Sequence, residues 1–169
     1  MASITKEVEK ELLPFVRMYK DGSVERLVGS PYVPPSPQDP ETGVSSKDIT
    51  ISKDPSISAR LYLPRLNQTH HQKLSILVYF HGGGFCIESA FSFNHQLYLN
   101  SLVSQTQVVA VSVEYRLAPE HLLPIAYEDC WAALQCVASH SLDNVVNTKS
   151  HAWLMNHGDF DRVFIGGDS

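Results

Sequence analysis

Hydrophobic and polar positions follow one pattern before residue 74 and another after it. Residues 2–13 read as a short helix with Val8, Leu12 and Leu13 on one face, lysines and glutamates elsewhere, and Pro14 as its stop. Phe15 to Lys20 and Ser23 to Val28 flank Asp21-Gly22, a pair suited to the tight turn of a β-hairpin. Five prolines in residues 30–43 forbid regular structure and lay that segment extended over the surface. Two antiparallel strands follow, Lys47 to Ile51 and Ile57 to Leu63. In the second, Ile57, Ala59, Leu61 and Leu63 alternate with Ser58, Arg60 and Tyr62.

Leu74 to Phe80 and Val108 to Val113 are unbroken apolar runs rich in β-branched residues, as in strands covered on both faces of a parallel sheet. Between them Ser92 to Ser104 has helical spacing, with Leu99, Leu102 and Val103 together. Pro124 to Ser139 is a clearer helix, with Ala126, Cys130, Ala133, Leu134 and Val137 on one face and proline in the first turn. Ser141 to Ser150 reads as a polar loop, and Arg162 to Ile165 as a third buried strand. The order β–α–β–α–β predicts an α/β doubly wound, mostly parallel sheet flanked by helices. Any α/β domain shares that periodicity, so function must come from motifs.

Composition narrows the class. Apolar residues make up 43% and charged residues 18%, which is globular rather than disordered. A net charge of -5 offers no basic footprint for nucleic acid and no polybasic membrane surface. The first residues carry charge at once, so no signal peptide is expected, and no apolar run reaches membrane-spanning length. Cys86, Cys130 and Cys136 lack Cys-x-x-Cys spacing, which suits a reduced cytoplasmic chain with partly buried thiols. Asn67-Gln68-Thr69 is formally a glycosylation sequon and reads as plain loop. No histidine spacing suggests a metal site, and no cofactor is expected.

Two motifs carry chemistry. His81-Gly82-Gly83-Gly84-Phe85 follows a buried strand, and its glycines can turn tightly and present bare amide hydrogens. Such amides can hold the oxyanion of a tetrahedral intermediate, and Gly83 and Gly84 are the candidate donors. A phosphate cradle fits less well, because no Lys-Ser/Thr follows. The second motif is Gly167-Asp168-Ser169, the first half of the Gly-x-Ser-x-Gly turn that lifts a serine hydroxyl above the end of a parallel sheet. Ser169 is the candidate nucleophile, and Gly167 sits where a side chain would collide with the turn. Arg116 and Glu120 are expected to pair behind the site, while Glu128 and Asp129 offer further pairs or a solvated helix face.

The sequences His81-Gly82-Gly83-Gly84, Tyr115-Arg116-Leu117-Ala118-Pro119-Glu120 and Gly167-Asp168-Ser169 together resemble the hormone-sensitive-lipase-like α/β-hydrolases. More narrowly they resemble plant carboxylesterases, the group that includes 2-hydroxyisoflavanone dehydratases and gibberellin receptors. Tyr19 to Arg26, Thr42 to Asp48 and Phe85 to Ser92 extend the likeness over nearly the whole chain. The resemblance implies the N-terminal part of an α/β-hydrolase, with Ser169 as nucleophile, Gly83 and Gly84 in the oxyanion hole, and His81 shaping the loop. It also implies that residues 1–45 form part of a lid and residues 46–169 an incomplete core. The substrate would be a small ester or a flavonoid-like molecule. This chain departs from the family at His121-Leu122-Leu123-Pro124-Ile125-Ala126, where a second proline is usual, and at Cys136, where tryptophan is common.

Ester hydrolysis through an acyl-enzyme is the first functional expectation, dehydration of a 2-hydroxyisoflavanone the second, and hormone binding without catalysis the third. Some dehydratases of this type carry threonine at the nucleophile position, so Ser169 favours the esterase. The intact glycine run disfavours the receptor. The acid and histidine that would complete the site are expected beyond Ser169. Residues 1–169 alone are therefore expected to fold poorly and to leave p-nitrophenyl esters intact.

Overall fold

The computed structural model describes residues 6–66, 72–139 and 151–169. The proposed loop at Ser141 to Ser150 and the sequon at Asn67-Gln68-Thr69 lie outside them. Near the start, β1 (Val8–Leu12), β2 (Val16–Tyr19) and β3 (Val24–Arg26) form a three-stranded antiparallel sheet. The Asp21-Gly22 hairpin is present: Gly22 has φ +80°, and Asp21 accepts a bond from the Ser23 amide at 2.9 Å. The expected helix over residues 2–13 is a strand where it is described. Val8 and Leu12 are four apart, which suits a helix, but all five residues of β1 are exposed, so no apolar face fixes the choice. The open edge of β2 decides it, pairing Leu12 with Val16 and Val8 with Tyr19.

The proline-rich segment runs without regular elements apart from a bridge between Tyr32 and Ser92. The main sheet has five strands in the order β4 (Ser45–Lys53), β5 (Ser56–Leu63), β7 (Val109–Glu114), β6 (Leu74–Phe80), β8 (Gly158–Gly167). β4, β5 and β7 pair antiparallel, whereas β6 runs parallel to both β7 and β8. α1 (Phe93–Thr106) covers one face, setting Leu99 and Val103 against Tyr62, Tyr79 and Ala110. α2 (Ile125–Ser139) and α3 (Ala152–His157) cover the other, where Ala133, Val137 and Leu154 meet Ile76, Val78 and Val111.

Covering both faces has a consequence for β5. Its Arg60 and Tyr62, which alternate with the aliphatic residues of the strand, are as buried as Leu61. Arg60 is buried because Asp48 takes two of its bonds, at 2.6 and 2.9 Å, and the Val33 carbonyl a third at 3.0 Å. The third strand also differs from expectation. β8 begins four residues earlier than expected, and Val163, Phe164 and Ile165 are 40%, 58% and 65% exposed. Its apolar side chains are left open because β8 pairs only with β6, at the edge of the described sheet.

The chain places β7 on one side of β6 and β8 on the other. Such a reversal of strand order opens a crevice beyond the carboxyl ends of the strands. β6 ends at Phe80 and β8 at Gly167, so both chemical motifs emerge at that crevice.

Candidate functional site

The two motifs touch. A side chain at Gly82 would lie 2.9 Å from both the nitrogen and the Cα of Ser169, a separation that no real Cβ tolerates. Gly167 is pressed as closely on the other strand, with its Cβ position 2.5 Å from the Phe80 carbonyl oxygen. Glycine at both positions lets the serine turn sit directly against the glycine loop.

The loop's own shape follows from Gly83. Its φ of +112° is open only to glycine, and its Cβ position falls 2.4 Å from the Ile87 carbonyl oxygen. The Gly83 carbonyl accepts from the amides of Cys86 and Ile87, each at 3.1 Å, and so closes a tight turn. Gly84 also has positive φ, +58°, with open space around it. Among the described residues nothing accepts a hydrogen bond from the N–H of Gly83 or Gly84.

Beneath the loop, His81 is buried and its ring stacks on Tyr115 at 4.3 Å between centroids. The Tyr115 hydroxyl donates to the His81 carbonyl at 2.5 Å. The His81 Nδ1 lies 2.8 Å from the Gly82 carbonyl, which makes Nδ1–H the donor and leaves Nε2 unprotonated. Burial lowers the imidazole pKa from 6.5 to about 4, so the ring is neutral at pH 7. These contacts hold the ring between Tyr115 and the Gly82 carbonyl, under the glycine loop.

Asp168 joins the pieces. Its Oδ1 accepts from the Gly82 amide at 2.8 Å and from the Tyr79 hydroxyl at 2.6 Å, and the His95 Nε2 lies 3.4 Å away. Burial would raise the carboxyl pKa, but the Tyr79 and Gly82 donors outweigh burial and hold it below the ordinary value. His95, on the first turn of α1, also has Ser92 Oγ at 2.9 Å and Glu88 Oε2 at 3.6 Å from its Nδ1. Sequence reading had no means of finding Tyr79, His95 or Glu88 here, because each comes from a separate element. No hydrogen bond joins a described histidine to the Ser169 hydroxyl.

Ser169 is exposed at a cavity of about 740 Å³. Gly83 and Gly84 form one side, Ile87 and Tyr98 another, and Leu12 and Phe15 from the small N-terminal sheet a third. A larger cavity, about 830 Å³, is walled by Arg26, Tyr32, Glu114 and Glu120 and does not reach Ser169. Its charged groups are engaged within the protein, as in the Arg26–Glu120 pair, whereas the smaller cavity is the one bordered by both the glycine loop and Ser169. The three cysteines are half-buried. No group of metal-binding side chains occurs among the described residues, and no described helix is long and apolar enough to cross a membrane.

The expected Arg116–Glu120 pair does not form. Arg116 turns to Asp129, with side-chain bonds of 2.8 and 2.7 Å and a backbone bond of 3.0 Å to the same carboxylate. Asp129 is fully buried on the inner face of α2, whereas Glu128 is exposed. Glu120 instead takes Arg26 from β3. Separation in the chain made Arg116 and Glu120 plausible partners; the inward face of α2 offered Arg116 a carboxylate shielded from water.

A family profile described as alpha/beta hydrolase fold matches residues 77–169, and one described as carboxylesterase family matches residues 31–120. A protein of Glycyrrhiza echinata named 2-hydroxyisoflavanone dehydratase is 62% identical over 98% of this chain and 50% of its own length. An Arabidopsis thaliana protein named "Probable carboxylesterase 13" is 46% identical over 96% of this chain and 49% of its own. The chain thus spans about half the length of these curated relatives. Among solved structures, an esterase of Pyrobaculum calidifontis superposes with a TM-score of 0.57 at 36% identity, covering 73% of this chain and 35% of that one. With both profiles matched, and the glycine loop and serine turn packed against each other at the strand ends, this chain belongs to the α/β-hydrolase fold family, in the group of plant carboxylesterases and 2-hydroxyisoflavanone dehydratases.

Proposed function

We propose that the whole protein is a serine hydrolase of carboxylic esters. Ser169 Oγ attacks the ester carbonyl carbon, and the carbonyl oxygen takes the negative charge. The Gly83 and Gly84 amides hold that oxyanion, the alcohol departs with a proton, and an acyl-enzyme remains. Water then attacks the acyl carbon, releasing the carboxylic acid and restoring the serine. His81 is not the base, since its ring is buried, neutral and engaged with the loop it braces. Residues 1–45 act as a lid, with Leu12 and Phe15 set over the acyl or aryl part of the substrate. The substrate is a small ester in the cytoplasm, and the reaction takes no cofactor.

The observation that carries this reading is the pair of unpartnered glycine amides on a loop packed against the exposed serine. The test is Ser169→Ala in the whole protein, assayed on p-nitrophenyl acetate and butyrate and by fluorophosphonate labelling. Hydrolysis and labelling are both expected to vanish. Undiminished turnover would remove the nucleophile assignment.

A second reading has its own support in the 62% identity to a protein named 2-hydroxyisoflavanone dehydratase. Here the carbon beside the ketone would first give up its proton, the glycine amides would stabilise the oxygen of the resulting enolate, and the neighbouring hydroxyl would then take up a proton and leave as water as the carbon–carbon double bond forms. Assaying the whole protein and its Ser169→Ala variant on a 2-hydroxyisoflavanone separates the two. Isoflavone formation that survives the substitution, with no ester hydrolysis by the unsubstituted protein, would replace the esterase reading.

A further inference from the structure

Among the described residues the Gly82 amide is the one N–H of the glycine run with an acceptor, and that acceptor is the side chain next to Ser169. The Asp168 carboxylate lies 2.8 Å from the Gly82 nitrogen. The same oxygen is held from below by the Tyr79 hydroxyl at 2.6 Å and flanked by His95 at 3.4 Å. Tyr79 belongs to β6, the strand that leads into the glycine loop, and Asp168 follows β8, the strand that leads to the serine. The contact therefore closes a ring: β6, glycine loop, Asp168, β8, and back through the β6–β8 pairing of Phe80 with Gly167.

Such a ring fixes two quantities that catalysis needs together. One is the distance between the serine oxygen and the donors of Gly83 and Gly84. The other is the orientation of the His81–Gly82 peptide, the entry to the glycine run, because its N–H is tied to Asp168 and cannot rotate towards the substrate. Misplacing a reacting group by about 1 Å can lower a rate on the order of 100-fold.

We propose that Asp168 is a positioning residue that locks the oxyanion loop to the nucleophile turn through Gly82, anchored by Tyr79. The proposal rests on the reading of Ser169 as nucleophile and of Gly83 and Gly84 as oxyanion donors. Asp168 acts through the loop and does not touch the reacting atoms. Its effect should appear in the transition state, where the oxyanion exists, and not in the binding of a planar ester.

The test compares Asp168→Ala, Asp168→Asn, Tyr79→Phe and Ser169→Ala in the whole protein, on one p-nitrophenyl ester and with a boronic acid as tetrahedral probe. Asp168→Ala should lower kcat on the order of 10- to 100-fold with KM within about threefold, and weaken the boronic acid in step with kcat/KM. Asparagine keeps an oxygen for Gly82 and Tyr79, so Asp168→Asn should recover kcat to within about threefold of the unsubstituted protein. Tyr79→Phe should lose on the order of three- to tenfold in kcat. A kcat for Asp168→Ala within twofold of unsubstituted, or a loss that falls on KM alone, would overturn the proposal. An Asp168→Asn protein as slow as the alanine variant would do the same. If Asp168→Ala does not fold, Tyr79→Phe decides, and an unchanged kcat there counts against the lock. Ser169→Ala keeps the two readings apart: if it stays active, the nucleophile assignment has failed. If it is dead while Asp168→Ala is unimpaired, only the lock has failed.

Discussion

Arg26 grips Glu120 with both arms of its guanidinium, each at 2.9 Å from a separate carboxylate oxygen, across 94 residues of chain. The same side chain donates to the Cys86 carbonyl at 2.8 Å and to the Ala118 carbonyl at 3.3 Å. It therefore ties the small N-terminal sheet to the end of the glycine loop and to the loop after β7. Arg26 also holds the Glu120 carboxyl below the usual carboxylate range.

Removing that tie should free the sheet that carries Leu12 and Phe15 to the cavity. A partly exposed ion pair contributes about 1 kcal/mol, which corresponds to about a fivefold rise in KM if the sheet helps seat the substrate. Arg26→Ala should show that rise together with faster limited proteolysis within residues 8–26. Glu120→Gln should show less of both, since the two carbonyl contacts survive. Identical cleavage rates and KM values in all three proteins would mean that the tie does not control the sheet.

Asp129 is expected to matter for stability more than for rate. It is fully buried and accepts the Arg116 amide as well as the guanidinium. Asp129→Ala leaves those donors without an acceptor, at a cost of about 3 kcal/mol. Asp129→Asn keeps one acceptor and should lose less. Urea unfolding of the three proteins measures the difference, and a loss in the alanine variant well under 1 kcal/mol would show that Arg116 simply turns to water.

The glycines of the loop should not be equivalent. Gly83→Ala would drive a methyl group to 2.4 Å from the Ile87 carbonyl oxygen, so the turn must open and kcat/KM should fall on the order of 100-fold. Gly84→Ala meets open space and carries only the strain of its positive φ, about 1–2 kcal/mol. It should fold with a modestly lower Tm and lose less than about tenfold in kcat/KM. Steady-state kinetics and a thermal melt on each variant check this, and equal losses would contradict the loop geometry.

His81 gives stability a definite pH dependence. Its pKa is lowered by burial from 6.5 in the unfolded chain to about 4 in the folded one. Between those values the unfolded chain binds a proton that the folded protein refuses, so stability falls as pH falls. The His81 contribution is complete above pH 6.5 and is lost towards pH 4, amounting to about 3 kcal/mol. Glu114 acts in the opposite sense: burial raises its carboxyl pKa, so its contribution is present below the unfolded value of 4.5 and is lost as pH rises. His81→Asn should flatten the decline between pH 6.5 and 4, as measured by urea unfolding at several pH values. Parallel curves for the two proteins would remove His81 as the cause.

Much of this was legible in the chain. The Asp21-Gly22 turn, the unbroken apolar runs of β6 and β7, and the helical spacing of α1 and α2 are local signals, each set by neighbours a few residues apart. The same holds for the glycine loop and the serine turn, whose residue types are dictated by steric room at the turn itself. Short segments without an apolar face fared differently. Residues 8–12 fit two periodicities, and α3 lies in a stretch that offered no pattern long enough to read.

By itself, the sequence determined the alternation of strand and helix, the family, and the candidate serine and oxyanion donors, because these depend on local backbone preference and on motifs of a few residues. The tertiary structure alone decided that β1 is a strand, that Arg26 and not Arg116 holds Glu120, that Asp129 is buried, and that Asp168 reaches Gly82. Those outcomes depend on which open sheet edge, which buried donor and which loop arrive within 3 Å or so of one another, and such distances are fixed by the packing of remote segments rather than by periodicity along the chain.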